Sequence, residues 1–361
     1  MSRRVLFLVS QDSWSANARA FVLAARGLAA RNFDVMLACK AECPVQVRAV
    51  ASQIDVVALQ PDASAAGGTW QLRKTVQDRS VDAVFVHTDE EHLVASSAVR
   101  LGRGGARILR RLPPFAVVES SARVRLASRL APSALLYSTA ADRDAAKDAK
   151  TPGVVAPLSV DPTEHERAAP IAKVSIGAPN NSRLIVCVND GIDPERALAV
   201  LRTLALLAPR HPELHLAIIG AAQQDELRMH GAALGVNTKV SFLGEREDEL
   251  AVIRAADIGW IAATGDAAAF AALDFMACGT PIVAERNQLT EHYVADGIAG
   301  LLLAHADATS TAGGVAAFLA RDEVRTAMGN AGRARLQREF PYDAMIDGFE
   351  AAATTHAAQP A

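Results

Sequence analysis

The stretch Asp266-Ala-Ala-Ala-Phe-Ala-Ala-Leu-Asp274-Phe-Met-Ala-Cys-Gly-Thr-Pro-Ile-Val-Ala284 decides how this chain is read. Ahead of it, Ile258 to Ala263 is an apolar run of strand length; behind it, Gly279-Thr280-Pro281 breaks the helical pattern before a second apolar run, Pro281 to Ala284. Ile258 to Ala284 is the one stretch apolar enough to test as a membrane span. Two aspartates and the Gly-Thr-Pro break argue instead for strand, helix, turn and strand. On such a helix Asp266 and Asp274 fall near one stripe, about 12 Å apart along the axis at ~1.5 Å per residue.

Outward from this unit the same alternation runs to both ends. Strand candidates in the first half are Arg4 to Ser10, Asp34 to Cys39, Ile54 to Leu59, Asp82 to Thr88, Ala106 to Leu109 and Ala134 to Ser138, with helical patterns such as Ala16 to Ala30 and Thr69 to Arg79 between them. A polar segment, Leu158 to Asn181, then carries Pro162, Pro170 and Pro179 directly after Pro157, and reads as a linker. After it come Leu184 to Val188, a helix Pro194 to Leu207 with proline well placed in its first turn, His215 to Gly220 and Lys239 to Leu243. The tail is helical from Asp322 to Phe340 and from Tyr342 to Ala352. Strands alternating with helices predict parallel sheets covered on both faces. The expected fold class is α/β, with two doubly wound Rossmann-like domains and an inter-domain cleft. Residues 1–165 form the first, 166–341 the second, and the helix 342–361 packs back on the first. Ligands of such sheets sit just past the strand ends.

Composition narrows the function. The chain has 361 residues, half of them hydrophobic, 21% charged, with a net charge of −3. That excludes a disordered chain and a strongly basic nucleic-acid binder. Aromatic residues make up 5%, which argues against carbohydrate platforms built from stacked rings. The apolar run Val5 to Val9 is too short for a signal peptide. Cys39, Cys43, Cys187 and Cys278 lack the paired spacing of a zinc site and read as reduced core thiols, so a cytoplasmic location is expected. The charge is unevenly shared: 21 Lys and Arg against 16 Asp and Glu through residue 165, then 16 against 24.

The quoted stretch resembles the signature of the retaining GT-B glycosyltransferases of family 4, the group 1 glycosyltransferases. In that family two glutamates flank such a helix ahead of a Met-Ala-Cys-Gly-Thr-Pro run. Glu291, Asp296-Gly297, Gly300-Leu-Leu and Met328-Gly-Asn-Ala-Gly-Arg-Ala-Arg-Leu-Gln-Arg-Glu-Phe340 follow in the family's order, while Ala29 to Val35 and Val154 to Asp161 match it upstream. The resemblance implies a GT-B transferase that takes a nucleotide-diphospho-sugar as substrate, needs no metal or other cofactor, and retains anomeric configuration. It assigns Asp266 to catalysis at the donor sugar and Asp274 to the ribose. Arg196, Glu291, Asp190, Ala267 and Ala268 complete the donor side; Ser15, Ala16 and His87 line the acceptor side of the cleft.

Several of these positions depart from the family. Aspartates replace both glutamates, Ala267-Ala-Ala replaces Gly-Phe-Gly, and Ser15-Ala16 replaces a Gly-Gly turn. Asp190 stands where an arginine holds the diphosphate, Arg196 where a lysine does, and Arg110-Arg111 follow the fifth strand where a histidine is usual. An alternative reading follows: a degenerate, non-catalytic GT-B module that binds a glycan, nucleotide or protein partner. A sugar-phosphate epimerase of the same fold is less favoured.

Two further features stand out. His87-Thr-Asp-Glu-Glu-His92 places two histidines among three acids, which suggests either a metal site or, preferably, a strand end followed by an acidic helix start. Between Arg100 and Arg129 eight arginines face one acid, Glu119. This patch is expected to contact an anionic membrane peripherally, at its inner face, with a glycan, lipid or protein as acceptor; no nucleic-acid partner is expected.

Overall fold

A computed structural model describes residues 3–60, 65–102, 105–116, 121–146, 153–220, 224–304 and 307–355. The chain divides into two compact units, Met1–Leu158 with Tyr342–Ala361, and Ser159–Pro341.

In the first unit, seven parallel strands β1 (Arg4–Leu8), β2 (Asp34–Lys40), β3 (Asp55–Leu59), β4 (Ala83–Val86), β5 (Arg107–Arg111), β6 (Ser133–Tyr137) and β7 (Gly153–Val155) lie in the order β3-β2-β1-β4-β5-β6-β7. Helices α1 (Ala16–Ala30), α2 (Pro44–Ala51), α3 (Ala65–Asp78), α4 (Asp89–Gly102), α5 (Ala122–Leu130) and α6 (Ala140–Ala145) connect them. The second unit opens on α7 (Pro162–Arg167). Its six strands β8 (Arg183–Asn189), β9 (Leu214–Gly220), β10 (Val240–Gly244), β11 (Ile258–Ile261), β12 (Ile282–Glu285) and β13 (Gly300–Leu303) lie in the order β10-β9-β8-β11-β12-β13. Its helices are α8 (Pro194–Leu207), α9 (Asp225–Ala233), α10 (Glu249–Arg254), α11 (Gly265–Cys278), α12 (Gln288–Val294), α13 (Ala308–Leu319) and α14 (Asp322–Glu339); the chain ends in α15 (Tyr342–Thr354). The expected α/β, doubly wound, Rossmann-like architecture is thus present in both units.

The quoted stretch forms β11, α11, a turn and β12. Helix α11 is buried on nearly all sides, which explains its alanines: small side chains let neighbouring elements approach. It stops because Gly279 takes φ +69°, donating its N–H to the Met276 carbonyl while Thr280 N–H reaches the Phe275 carbonyl. This paired closure needs a residue tolerant of left-handed backbone. At the other end of the chain α15 returns to the first unit. Phe349 packs against Phe85 at 5.3 Å, Phe85 stacks on Phe7 at 4.6 Å, and Tyr342 Oη donates to the Leu23 carbonyl at 2.7 Å. Burying each such ring stabilises the unit by roughly 2–3 kcal/mol. Residues 356–361 of the expected C-terminal helix lie outside the described residues.

One boundary and one segment differ from expectation. The first unit ends at Leu158 rather than 165. The segment after it belongs to the second unit because Ser159 Oγ donates to the Phe340 carbonyl (2.6 Å) and His165 bonds Asp274 (2.7 Å). The supposed linker contains α7 and a 3-10 turn, Lys173–Ile176, since proline suits a first helical turn as well as a loop. Among the described residues no helix is long and apolar enough to cross a membrane.

Candidate active site

In the second sheet the chain winds from β8 towards β10, then returns to build β11 to β13 on the other side. The switch point between β8 and β11 is where an open α/β sheet leaves a crevice at its carboxyl edge. Asp190, just past β8, bridges this crevice. Its Oδ2 accepts from both the N–H and Oγ1 of Thr264 at 2.7 Å each, and its Oδ1 accepts from Ile192 N–H at 3.1 Å. Thr264 is the N-cap of α11, so the carboxylate satisfies one of the helix's orphan amides. The neighbouring strand end is close: a Cβ on Gly220, which has φ +107°, would fall 2.0 Å from the Asn189 carbonyl oxygen.

Asp266 lies in the first turn of α11 and is buried, where the helix dipole favours a carboxylate. Ala267 and Ala268 are ordinary helical residues, and the left-handed backbone that glycine permits falls instead at Gly265, φ +48°. Asp274, two turns on, is 1% exposed, and its Oδ1 lies 2.7 Å from His165 Nε2. His165 Nδ1 faces the Asp161 carbonyl at 3.0 Å, so the ring is held between that carbonyl and the Asp274 carboxylate. The carboxylate assigned to the ribose is therefore engaged with α7.

Arg196, in the first turn of α8, contacts Asp193 (3.2 Å) and Glu285 (3.6 Å). It lines a cavity of ≈ 470 Å³ at the ends of β11 to β13, together with Trp260, Thr203, Glu285, Asp307 and Thr311. Glu291, on α12, pairs with Arg286 at 3.2 Å and is half exposed. The structure thus brings Asp190 to the start of the helix bearing Asp266, but gives Asp274, Arg196 and Glu291 separate protein partners.

The first sheet has its switch point between β1 and β4. Glu91, 1% exposed, crosses it. Its Oε1 accepts from Ser10 N–H (2.7 Å) and Ser10 Oγ (2.8 Å), and its Oε2 from the backbone N–H groups of His87 (3.0 Å) and Thr88 (3.2 Å). Burial works to raise the pKa of this carboxyl, but His87 and the backbone amides outweigh it and hold the group below the usual carboxylate range. His87 Nδ1 lies 2.9 Å from Oε2, its ring meets Phe21 edge-on at 5.5 Å, and its Nε2 makes no hydrogen bond among the described residues. Ser15 caps α1 through its Oγ and the Ala18 N–H (3.2 Å), leaving Ala16 as the first helical residue.

Among the described residues no group of His, Cys, Asp and Glu is arranged to hold a metal ion. Burial pushes the thiols of Cys39, Cys187 and Cys278 up to about 12, which makes them poor nucleophiles. Three members of the arginine patch have partners within the first unit. Arg107 donates to the carbonyls of Ala352 and Thr355, Arg110 pairs with Asp89, and buried Arg111 donates to Asn17 Oδ1 at 3.1 Å. Arg100 is exposed, as are Arg123, Arg125 and Arg129 on α5, where Leu126 is exposed beside them. Arg103 and Glu119 lie outside the described residues.

Residues 170–335 match the model of the family described as glycosyl transferases group 1. The match falls within the second unit. The chain is 30% identical over 174 residues to a D-inositol 3-phosphate glycosyltransferase of Corynebacterium jeikeium, a match covering 45% of this chain and 42% of that protein. It is 26% identical over 148 residues to a lipopolysaccharide core biosynthesis glycosyltransferase of Rhizobium meliloti, covering 41% and 44%. The chain therefore spans less than half the length of these relatives. Among solved structures it is similar to Anabaena Alr3699/HepE in complex with UDP and glucose, at a TM-score of 0.77 and 16% identity, over 98% of this chain and 99% of that one. Fold neighbours of this kind are GT-B proteins, and the expected GT-B class holds.

Around the second unit's switch point, sequence reasoning missed Thr264, His165 and Glu285. No local pattern signals them, because each is defined by a distant partner. In the first unit Glu91 had a signal: Thr88-x-x-Glu91 is a capping box, with Thr88 Oγ1 accepting from Glu91 N–H at 3.0 Å.

Proposed function

We propose that the chain is a retaining glycosyltransferase that moves a sugar from a nucleotide-diphospho-sugar to a glycan, lipid or protein acceptor, on the cytoplasmic side and without a metal. The observation that carries this reading is Asp266 in the first turn of α11, past the switch point of a domain that matches the group 1 transferases. The donor lies along the carboxyl edge of the second sheet; Asp266 engages the donor sugar, and Arg196 meets the charge that gathers on the departing diphosphate as its bond to the sugar's C1 breaks. The acceptor belongs to the first unit, where His87 offers an unpaired Nε2. The exposed Arg123, Arg125 and Arg129 beside Leu126 suit anionic lipid, which sedimentation with phosphatidylglycerol against phosphatidylcholine vesicles would test.

The deciding experiment follows nucleoside diphosphate release from UDP- and GDP-sugars. Release that falls at least about a hundredfold in Asp266→Asn supports the enzyme. One observation favours the non-catalytic module instead: Arg196 is already held by Asp193 and Glu285. Nucleotide binding without release for any sugar donor would establish that second reading.

A further inference from the structure

The geometry points to Asp190 as an internal competitor of the donor's phosphates, and hence as the residue that sets how strongly this domain prefers a weakly charged donor. The inference rests on the transferase reading above and deepens it.

The switch-point crevice of the second sheet is where a ligand of this architecture is received, and it lies between the end of β8 and the start of α11. Helix α11 spans Gly265–Cys278, long enough for its N-terminal amides to attract an anion. That anion is already supplied by the chain. Asp190 Oδ2 takes the Thr264 N–H and the Thr264 hydroxyl, both at 2.7 Å, two residues before Asp266. A phosphate oxygen seated there must displace the carboxylate or share its donors, and the displaced charge stays tethered beside it. The surroundings add to the conflict. Asp193 and Glu285 face Arg196, so the cation of that edge is compensated before a ligand arrives. A diphosphate entering this crevice meets more carboxylates than cations, and repulsion grows with each phosphate charge it brings.

The inference separates charge from contact, which makes it testable. Asp190→Asn keeps an oxygen for the Thr264 donors and removes the charge; Asp190→Ser removes the reach as well and frees the amide. UDP, GDP, uridine and guanosine are titrated calorimetrically into the full chain and both variants, with each variant's fold checked by its unfolding curve. The expected result is a gain of at least tenfold in nucleoside diphosphate affinity in Asp190→Asn, with nucleoside affinity unchanged in both variants. Unchanged or weaker diphosphate binding in folded variants, beside measurable binding to the natural chain, overturns the role of Asp190 and leaves the transferase reading standing. Absence of diphosphate binding to all three proteins overturns both. Binding that appears only in the variants supports the inference most directly.

Discussion

The two switch points of this molecule solve the same problem with one device and different depths. In each unit a carboxylate spans the gap between the two central strands and grips both the backbone amide and the hydroxyl of a Ser or Thr on the far side: Glu91 on Ser10, Asp190 on Thr264. Glu91 is sealed at 1% exposure and bonded further to two more amides, so it holds the first sheet's edge shut as part of the core. Asp190 is half-buried, with solvent within reach. Buried charge that is fully satisfied is structural, because removing it strands every donor it served; a half-buried one can exchange its partners for water or for a ligand. The first crevice is therefore fixed, while the carboxylate of the second is free to exchange its partners.

The comparison breaks most readily at Glu91. Glu91→Ala should cost the first unit about 3–5 kcal/mol, because four donors lose a buried, charged acceptor. Urea unfolding followed through Trp14 and Trp70, which lie in that unit, measures it; a loss no larger than that of Asp190→Ala, read through Trp260 in the second unit, would erase the distinction. Gly220→Ala tests the rigidity of the second crevice's wall. The new Cβ meets the Asn189 carbonyl at 2.0 Å and the residue is held at φ +107°, so a loss of about 3 kcal/mol is expected in the Trp260 transition.

Acid separates the units next. Burial, with Arg110 nearby, pushes the imidazole of His92 down from 6.5 to about 4. The unfolded chain binds this proton more readily than the folded one, so the stability it contributes is present above pH 6.5 and is lost as pH falls towards 4. The first unit should lose on the order of 3 kcal/mol across that window, and His92→Gln should flatten the slope. Glu91, held below the usual carboxylate range, adds its own loss at lower pH, as the medium falls through its depressed folded pKa. The smallest effect is expected at Thr264→Val. One of the two bonds to Asp190 disappears while the amide remains, for about 1 kcal/mol in thermal unfolding; a cost near that of Glu91→Ala would show that the second crevice is as closed as the first.

Much of this fold is legible along the chain. Helix α8 follows from Pro194 at its start, and the α11 turn from Gly279, because caps and turns act over a few residues. That site residues lie just past strand ends was also readable from the alternation, while Asp266 itself was singled out by the family resemblance. The partners that decide the site were not legible. Asp190 finds Thr264 across 74 residues, Glu91 finds Ser10 across 81, and Asp274 finds His165 across 109. The resemblance assigned Asp274 to the ribose; α7, read as linker, supplies the histidine bonded to it.

By itself, the sequence determined the two doubly wound units, several of their helix starts and stops, and the transferase signature, since hydrophobic period, capping and turn chemistry are local properties. Only the tertiary structure decided which partner each carboxylate meets. That choice depends on the donors that distant strands carry to the same few ångströms, and on how much water is left beside them.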